Sequence, residues 1–242
     1  MPIPYLRKVL GVELVEVSLT EKMVAAAGGG VAILLLALIS FAAMPEAAGA
    51  AIVTSMGASA VLLYAAPHGQ LSQPWPVIGG HGISATIGVV CAQWIHHPFI
   101  AAACAVGLSI AAMHQLRCIH PPGGATAFTA VMGGPAVHGL GFSFVLFPVL
   151  ANAIVMVLLA VVINSAFYWR RYPAILSRRP PHVPNGDEPT HEEVIAAIRS
   201  IDSFVDISEE DLLRLVDLLS HHGMRPKISA ATRLSALAAS TS

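Results

Sequence analysis

The chain has 242 residues, 55% of them hydrophobic and 11% charged, with a formal net charge of −1 and a mean hydropathy of +0.71. That balance excludes an ordinary water-soluble globule and gives no reason to expect a nucleic-acid partner. Between Met23 and Trp169 only Glu46 and Arg117 are formally charged, so the solvent of this stretch is lipid, and those charges and the nearby histidines are the first places to look for function.

Residues 1–22 mix Glu13, Glu16 and Glu21 with Arg7, Lys8 and Lys22. They have neither the compact apolar core of a secretory signal nor the acid-poor bias of a transit peptide, and they read as a cytoplasmic tail or interfacial helix. The transmembrane domain then runs over residues 23–170. Its first span, Val24–Met44, covers roughly 30 Å at about 1.5 Å per residue. A shorter apolar stretch, Ala50–Ala66, follows and leads into the uncharged, proline-rich loop Pro67–Pro76. The third segment, Val77–Ile95, is rich in small residues, and His96-His97-Pro98 separates it from a span at Phe99–Leu116. After Arg117 comes His120-Pro121-Pro122-Gly123-Gly124-Ala125-Thr126-Ala127, opening an apolar run too short to cross, closed by Gly133-Gly134-Pro135. The last span is Phe142–Tyr168.

These segments predict an all-α membrane protein with four full transmembrane helices and two short or broken, re-entrant helices. Residues 171–189 read as a linker containing Pro180-Pro181. In the C-terminal segment, 190–242, Thr190-His191-Glu192-Glu193 is a capping box, and a second such pattern at Ser208 completes a small soluble helical hairpin over 190–222, suited to a cytoplasmic partner. Arg170, Arg171, Arg178 and Arg179 follow the last span, and Arg7, Lys8 and Lys22 precede the first. Both termini are therefore expected in the cytoplasm, with the protein in a bacterial inner (plasma) membrane.

Gly57-Ala58-Ser59-Ala60 and Gly124-Ala125-Thr126-Ala127 share a pattern 67 residues apart. Each opens a short apolar stretch closed by proline and flanked by long spans. A three-segment unit used twice, with an odd number of crossings, gives a 3+3 inverted repeat with its broken helices near the midplane. The alternative is chance similarity among small residues.

The strongest chemical signal is the string from His120 to Ala127. Prolines open a helix well, glycines allow close approach, and a helix beginning near Gly123 would aim free N–H groups at a small anion. Thr126 would add a hydroxyl, and Arg117 and His120 positive charge. The alternative is a helix break packed tightly on Gly123 and Gly124. Ser55, Gly57 and Ser59 form the matching start on the other side, open to the same packing reading. His81, in Gly79-Gly80-His81-Gly82, would line a path, shuttle a proton, or make one structural hydrogen bond. Seven histidines lie between His68 and His138, but none shows HxH or HxxxH spacing with a nearby carboxylate, so no metal site or cofactor is expected. Cys91, Cys104 and Cys118 lack CxxC spacing and read as small hydrophobes. No catalytic constellation appears, and an enzyme is not expected.

Gly57-Ala58-Ser59-Ala60-Val61-Leu62-Leu63-Tyr64, then Gln73-Pro74, then Gly79-Gly80-His81 with Ser84-Ala85, and finally His120 to Ala127 resemble, in that order, the HPP family of membrane proteins. The resemblance covers about residues 20–170. It implies about four spans, and relatives in plants and cyanobacteria implicated in nitrite transport. Relatives commonly carry arginine after the Gln-Pro of the proline-rich loop, where this chain has Trp75, either changing anion affinity or anchoring the loop at the interface. The expectation is thus a transporter or channel for a small inorganic anion, nitrite first, with Arg117, His120, Gly123, Gly124, Thr126, Ser55, Gly57, Ser59 and His81 at the site. A homo-oligomer packed through Gly28-Gly29-Gly30 is expected as well. The alternatives are a sensor or scaffold acting through the C-terminal hairpin and, from the histidine count, a metal-ion transporter.

Overall fold

A computed structural model of the chain describes residues 17–43 and 54–177. The expected C-terminal hairpin, most of the linker, Glu46 and the tail up to residue 16 lie outside the described residues. The chain divides into units of residues 1–176 and 177–242, and the helices described belong to the first.

Among the described residues seven α-helices follow one another: α1 Leu19–Ala43, α2 Ser55–Ala65, α3 Pro74–Trp94, α4 Pro98–Gln115, α5 Pro121–Met132, the short α6 Gly134–His138, and α7 Ala151–Ser165. Four helical stretches are long and apolar enough to cross a bilayer, namely Leu19–Ala42, Pro74–Trp94, Pro98–Gln115 and Val145–Ser165. Besides the five-residue α6, two helices are too short to cross, α2 with 11 residues and α5 with 12, and these are built on the Gly-Ala-Ser-Ala and Gly-Ala-Thr-Ala strings. The all-α membrane architecture read from the sequence is the one found.

Helix starts follow local chemistry. Pro74, Pro98 and Pro121 each occupy the first helical position, where a missing N–H costs nothing. α1 begins five residues before the expected Val24 because Ser18 Oγ accepts the Glu21 N–H at 3.1 Å, half of a capping box written in Ser18-Leu19-Thr20-Glu21. α4 ends in a Schellman motif: Cys118 N–H donates to Met113 O at 2.9 Å and Arg117 N–H to His114 O at 3.2 Å. The last span is not a simple helix either. Its first turn, Val145–Leu150, has π geometry broken at Phe147 (φ −138°, ψ 124°) beside Pro148, which removes an internal donor.

The main core gathers Leu36, Met56, Leu63, Tyr64, Phe144 and Met156, while a smaller one joins Cys91, Ala101, Ala105 and Ala127. Large apolar residues such as Leu34, Phe99, Leu158 and Val162 point outward, as a lipid-facing surface requires. The α3–α5 seam is lined by small residues spaced four apart, Gly80-Ser84-Gly88 against Gly123-Ala127, so the two backbones nearly touch. Gly28-Gly29-Gly30, expected as a surface for a second subunit, is divided. A Cβ on Gly28 would fall 2.9 Å from Tyr64 Cδ1, so that glycine serves internal packing, and only Gly30 faces open space.

The packing has a hidden order. The principal helix pairs are α1–α2, α4–α5, α1–α7, α3–α4, α2–α7, α3–α5, α2–α5 and α3–α7. Exchanging α1 with α4, α2 with α5 and α3 with α7 returns the same set. This is the pairing expected of two three-helix units related by a two-fold exchange, with α2 and α5 meeting on the axis.

Candidate functional site

Where α2 and α5 meet, five polar side chains are 0–2% exposed: Ser55, Ser59, His81, His120 and Thr126. Helix periodicity selects them. Ser55 and Ser59 are one turn apart on α2, His81 projects from the second turn of α3, His120 caps α5, and Thr126 lies on its buried face. Ser59 Oγ lies 2.8 Å from His81 Nε2 and 2.9 Å from His120 Nε2. Thr126 Oγ1 lies 2.7 Å from His81 Nδ1 and 2.7 Å from Ser55 Oγ. The two rings meet edge to face with centroids 4.9 Å apart. His120 Nδ1 lies 2.8 Å from the Leu71 carbonyl oxygen.

Ser59 and Thr126 occupy the same place in the repeated string, 67 residues apart. They take the two ring nitrogens of His81, one each, and each hydroxyl also lies near the carbonyl four residues back, Ser59 at 3.2 Å from Ser55 O and Thr126 at 3.3 Å from Pro122 O. The two-fold exchange seen in the helices therefore continues into the side chains, with His81 between matched hydroxyls.

The hydrogens can be placed by elimination. Leu71 O only accepts, so His120 Nδ1 donates to it. A neutral His120 then accepts at Nε2 from the Ser59 hydroxyl, which leaves Ser59 to accept from His81 Nε2–H. His81 Nδ1 in turn accepts from Thr126, and Thr126 accepts from Ser55. All four ring nitrogens are thus used. Among the described residues no three of His, Cys, Asp and Glu converge on a point, so the histidine count finds no metal-binding geometry there.

Of the nine residues expected at the site, the structure unites these five. Gly123 adjoins the cluster in a packing role: a Cβ there would come 2.8 Å from Gly80 O and 2.9 Å from Ser84 Oγ. Gly124 is half-buried and Gly57 exposed, and neither would meet any atom within 4 Å of an added Cβ. Gly123→Ala is accordingly expected to cost roughly 1–3 kcal/mol, and Gly124→Ala to be neutral or stabilising by up to about 1 kcal/mol; thermal unfolding in detergent checks both.

Arg117 does not join the cluster. It is exposed, with φ +53°, as the left-handed residue that terminates α4. Nor does the α5 start offer the expected run of free N–H groups. Pro121 and Pro122 have none, and the Gly123 N–H already donates to His120 O at 2.8 Å. The donors gathered at this end of α5 are side chains: hydroxyls and imidazoles.

Neither the Leu71 contact nor the buried Arg170 pair was visible in the sequence. The Leu71 carbonyl comes from the proline-rich loop, braced by Gln73 Nε2 donating to Pro67 O at 3.1 Å and Gly69 O at 2.9 Å, and by Tyr172 Oη donating to Ser72 O at 2.8 Å. Trp75 Nε1 donates to Leu116 O at 3.1 Å and so ties the start of α3 to the end of α4. At the far end of α2, Arg170 is 1% exposed, pairs with Glu21, and donates to Tyr64 O and Asn164 Oδ1. Burial presses the Arg170 guanidinium below its ordinary range, and the Glu21 carboxylate opposes that shift. A groove of about 660 Å³ lies between α1 and α2, with Gly29, Gly57, Ala60, Val61 and Tyr64 among its walls. It lies on the side of α2 that carries Gly57 and Val61, whereas Ser55 and Ser59 face the cluster.

No solved structure matches this chain. A transmembrane protein of Dictyostelium discoideum is 39% identical over 142 residues, covering 57% of this chain and 50% of its own length. A second transmembrane protein of that organism is 36% identical over 142 residues, covering 57% of this chain and 45% of its own. The chain thus spans about half the length of these curated relatives. The HPP transmembrane region matches residues 15–173, which takes in all seven helices and every member of the cluster. With the site and the match covering the same residues, the chain belongs to the HPP family of integral membrane proteins.

Proposed function

We propose that this chain is a transporter, not an enzyme, and that it moves a small inorganic anion, nitrite being the first candidate. The reading is carried by one observation: five polar side chains buried at the junction of two helices too short to cross a bilayer. Polar groups inside a membrane domain are costly and mark solute paths. The hydroxyls of Ser55, Ser59 and Thr126 rotate freely enough to turn their hydrogens toward an anion, and His81 and His120 add N–H donors. A set of neutral donors suits a small, singly charged solute released without strong retention. Nitrite enters from the family resemblance and fits that description.

The cluster is sealed in this conformation, with every member at most 2% exposed. Sealing, together with the exchange symmetry of the helix packing, favours alternating access over an open pore: two matched three-helix units rocking about the α2–α5 contact. Both ends of the transmembrane domain then face the cytoplasm of a bacterial cell, in keeping with the basic residues that flank it.

Nitrite uptake into proteoliposomes tests the reading. The intact chain is expected to give saturable uptake over empty liposomes, and a chain lacking residues 187–242 to retain it. No uptake from either would contradict transport. Uptake by the intact chain alone would make the C-terminal segment essential to it, as a regulatory or docking role requires.

A further inference from the structure

The buried hydrogen bonds form a single line with one direction: Ser55 O–H to Thr126 Oγ1, Thr126 O–H to His81 Nδ1, His81 Nε2–H to Ser59 Oγ, Ser59 O–H to His120 Nε2, and His120 Nδ1–H to Leu71 O. Every link is 2.7–2.9 Å. Each of the two central hydroxyls has a second acceptor ready. If His120 takes a proton at Nε2, Ser59 turns its hydrogen to Ser55 O at 3.2 Å; if His81 takes one at Nδ1, Thr126 turns to Pro122 O at 3.3 Å. Neither change moves a heavy atom.

We propose that this hydroxyl–imidazole line is a proton relay, and that the protein carries protons through it from the Ser55 end to His120. This goes beyond anion transport and stands or falls separately from it. The hops balance bond by bond. Thr126 gives its proton to His81 Nδ1 and is reprotonated by Ser55, which takes one from hydronium when its side of the sealed cluster opens. His81 gives its Nε2 proton to Ser59, and Ser59 gives its own to His120 Nε2. One proton enters, one is held on His120 as imidazolium, and nothing is oxidised or reduced. The line resets when the hydroxyls and both imidazole rings turn back, His120 having kept the proton on Nε2. Release from His120 Nδ1 to water requires the Leu71 contact to open, so the proline-rich loop is the exit gate.

The surroundings fit a one-proton site. The groups facing the pair are Ser55 and Ser59 from α2, Ser84 from α3, Met113 and Cys118 from α4 and its terminal turn, Thr126 from α5, and the Leu71 carbonyl. Among the described residues His81, His120 and Cys118 are the titratable groups there, and no charged side chain hydrogen-bonds to either ring. Two imidazolium ions at this ring separation would repel, so occupancy stops at one.

The test uses the full chain in liposomes loaded with a pH-sensitive dye, with a potassium diffusion potential driving protons inward and nitrite uptake measured in parallel. The intact chain is expected to pass protons well above empty liposomes. Thr126→Val breaks the line and is expected to lower the rate about a hundred-fold, and Thr126→Ser, which restores a hydroxyl, is expected to recover part of that loss. Ser55→Ala, which removes the entry hydroxyl and leaves both rings bonded, is the second variant should Thr126→Val fold poorly, and it too is expected to slow proton entry. An intact chain no leakier than empty liposomes, with or without nitrite, would overturn the relay, as would folded Thr126→Val or Ser55→Ala proteins conducting like the parent. Nitrite uptake without proton flux overturns the relay and leaves anion transport standing. Proton flux lost in Thr126→Val without nitrite uptake supports the relay and removes the anion reading.

Discussion

Arg170→Met is expected to destabilise the protein by about 3–5 kcal/mol, the usual cost of breaking a buried ion pair by removing one partner. Arg170 is 1% exposed and Glu21 20%, so solvent does little to screen the pair. The guanidinium spans three elements: it pairs with Glu21 at the start of α1, caps the α2 carbonyl of Tyr64, and meets Asn164 on α7. Asn164 Nδ2 caps the neighbouring Leu63 carbonyl at 3.1 Å. Methionine fills much of the volume but leaves the Tyr64 carbonyl without the guanidinium and the Glu21 carboxylate without its counter-charge, with only Trp169 Nε1 still donating to Glu21 Oε2 at 2.9 Å. Adding Glu21→Leu is expected to recover part of the loss, because the stranded charge goes with it. Thermal unfolding of the single and double variants in one detergent reads the difference; equal midpoints for Arg170→Met and the parent would show that the pair contributes nothing.

Gly80→Ala is expected to disable the protein while Gly82→Ala, on the same helix two residues away, is tolerated. A Cβ on Gly80 would lie 2.7 Å from His120 Cβ and 3.0 Å from the Cys118 carbonyl, both held by backbone. Relief requires α3 and the His120 cap to separate, which costs roughly 1–3 kcal/mol and lifts His120 away from Ser59. A Cβ on Gly82 would meet Leu150 Cδ2 at 3.0 Å, the far end of a flexible side chain that can turn aside. Nitrite uptake per folded protein separates the two. Comparable loss in both variants would mean that close packing against His120 is not what matters.

Much of this was legible in the sequence, for reasons that can be traced. The near absence of charge between Met23 and Trp169 fixed the membrane class, and prolines at helix starts and hydrophobic lengths fixed most boundaries. The matched strings at Gly57 and Gly124 pointed to Ser59 and Thr126, and the structure brings both onto His81. Other features lay in plain view and were misread. Two consecutive prolines at the α5 start remove the very N–H groups that an anion seat there would need, and the Ser18–Glu21 capping box announced the true start of α1. Pro148 likewise announced the break in the last span. What local pattern could not supply was tertiary: the Glu21–Arg170 pair joins positions 149 residues apart, and the Leu71 contact to His120 uses a backbone carbonyl, which leaves no trace in side-chain identity. Arg117 drew a functional reading as an intramembrane cation, and the structure places it apart from the cluster, exposed at the end of α4.

The measurement that tests the central claim most directly is the concentration dependence of nitrite uptake by the intact chain and by His81→Gln. His81 stands between the two matched hydroxyls, and glutamine keeps a polar group there without reproducing both ring-nitrogen contacts. The account predicts saturable uptake by the intact protein and a fall of roughly ten- to a hundred-fold in the variant, the worth of one or two buried polar contacts, with the variant still folded and monodisperse. A folded His81→Gln protein that takes up nitrite at the parent rate would contradict the placement of the solute path at this cluster.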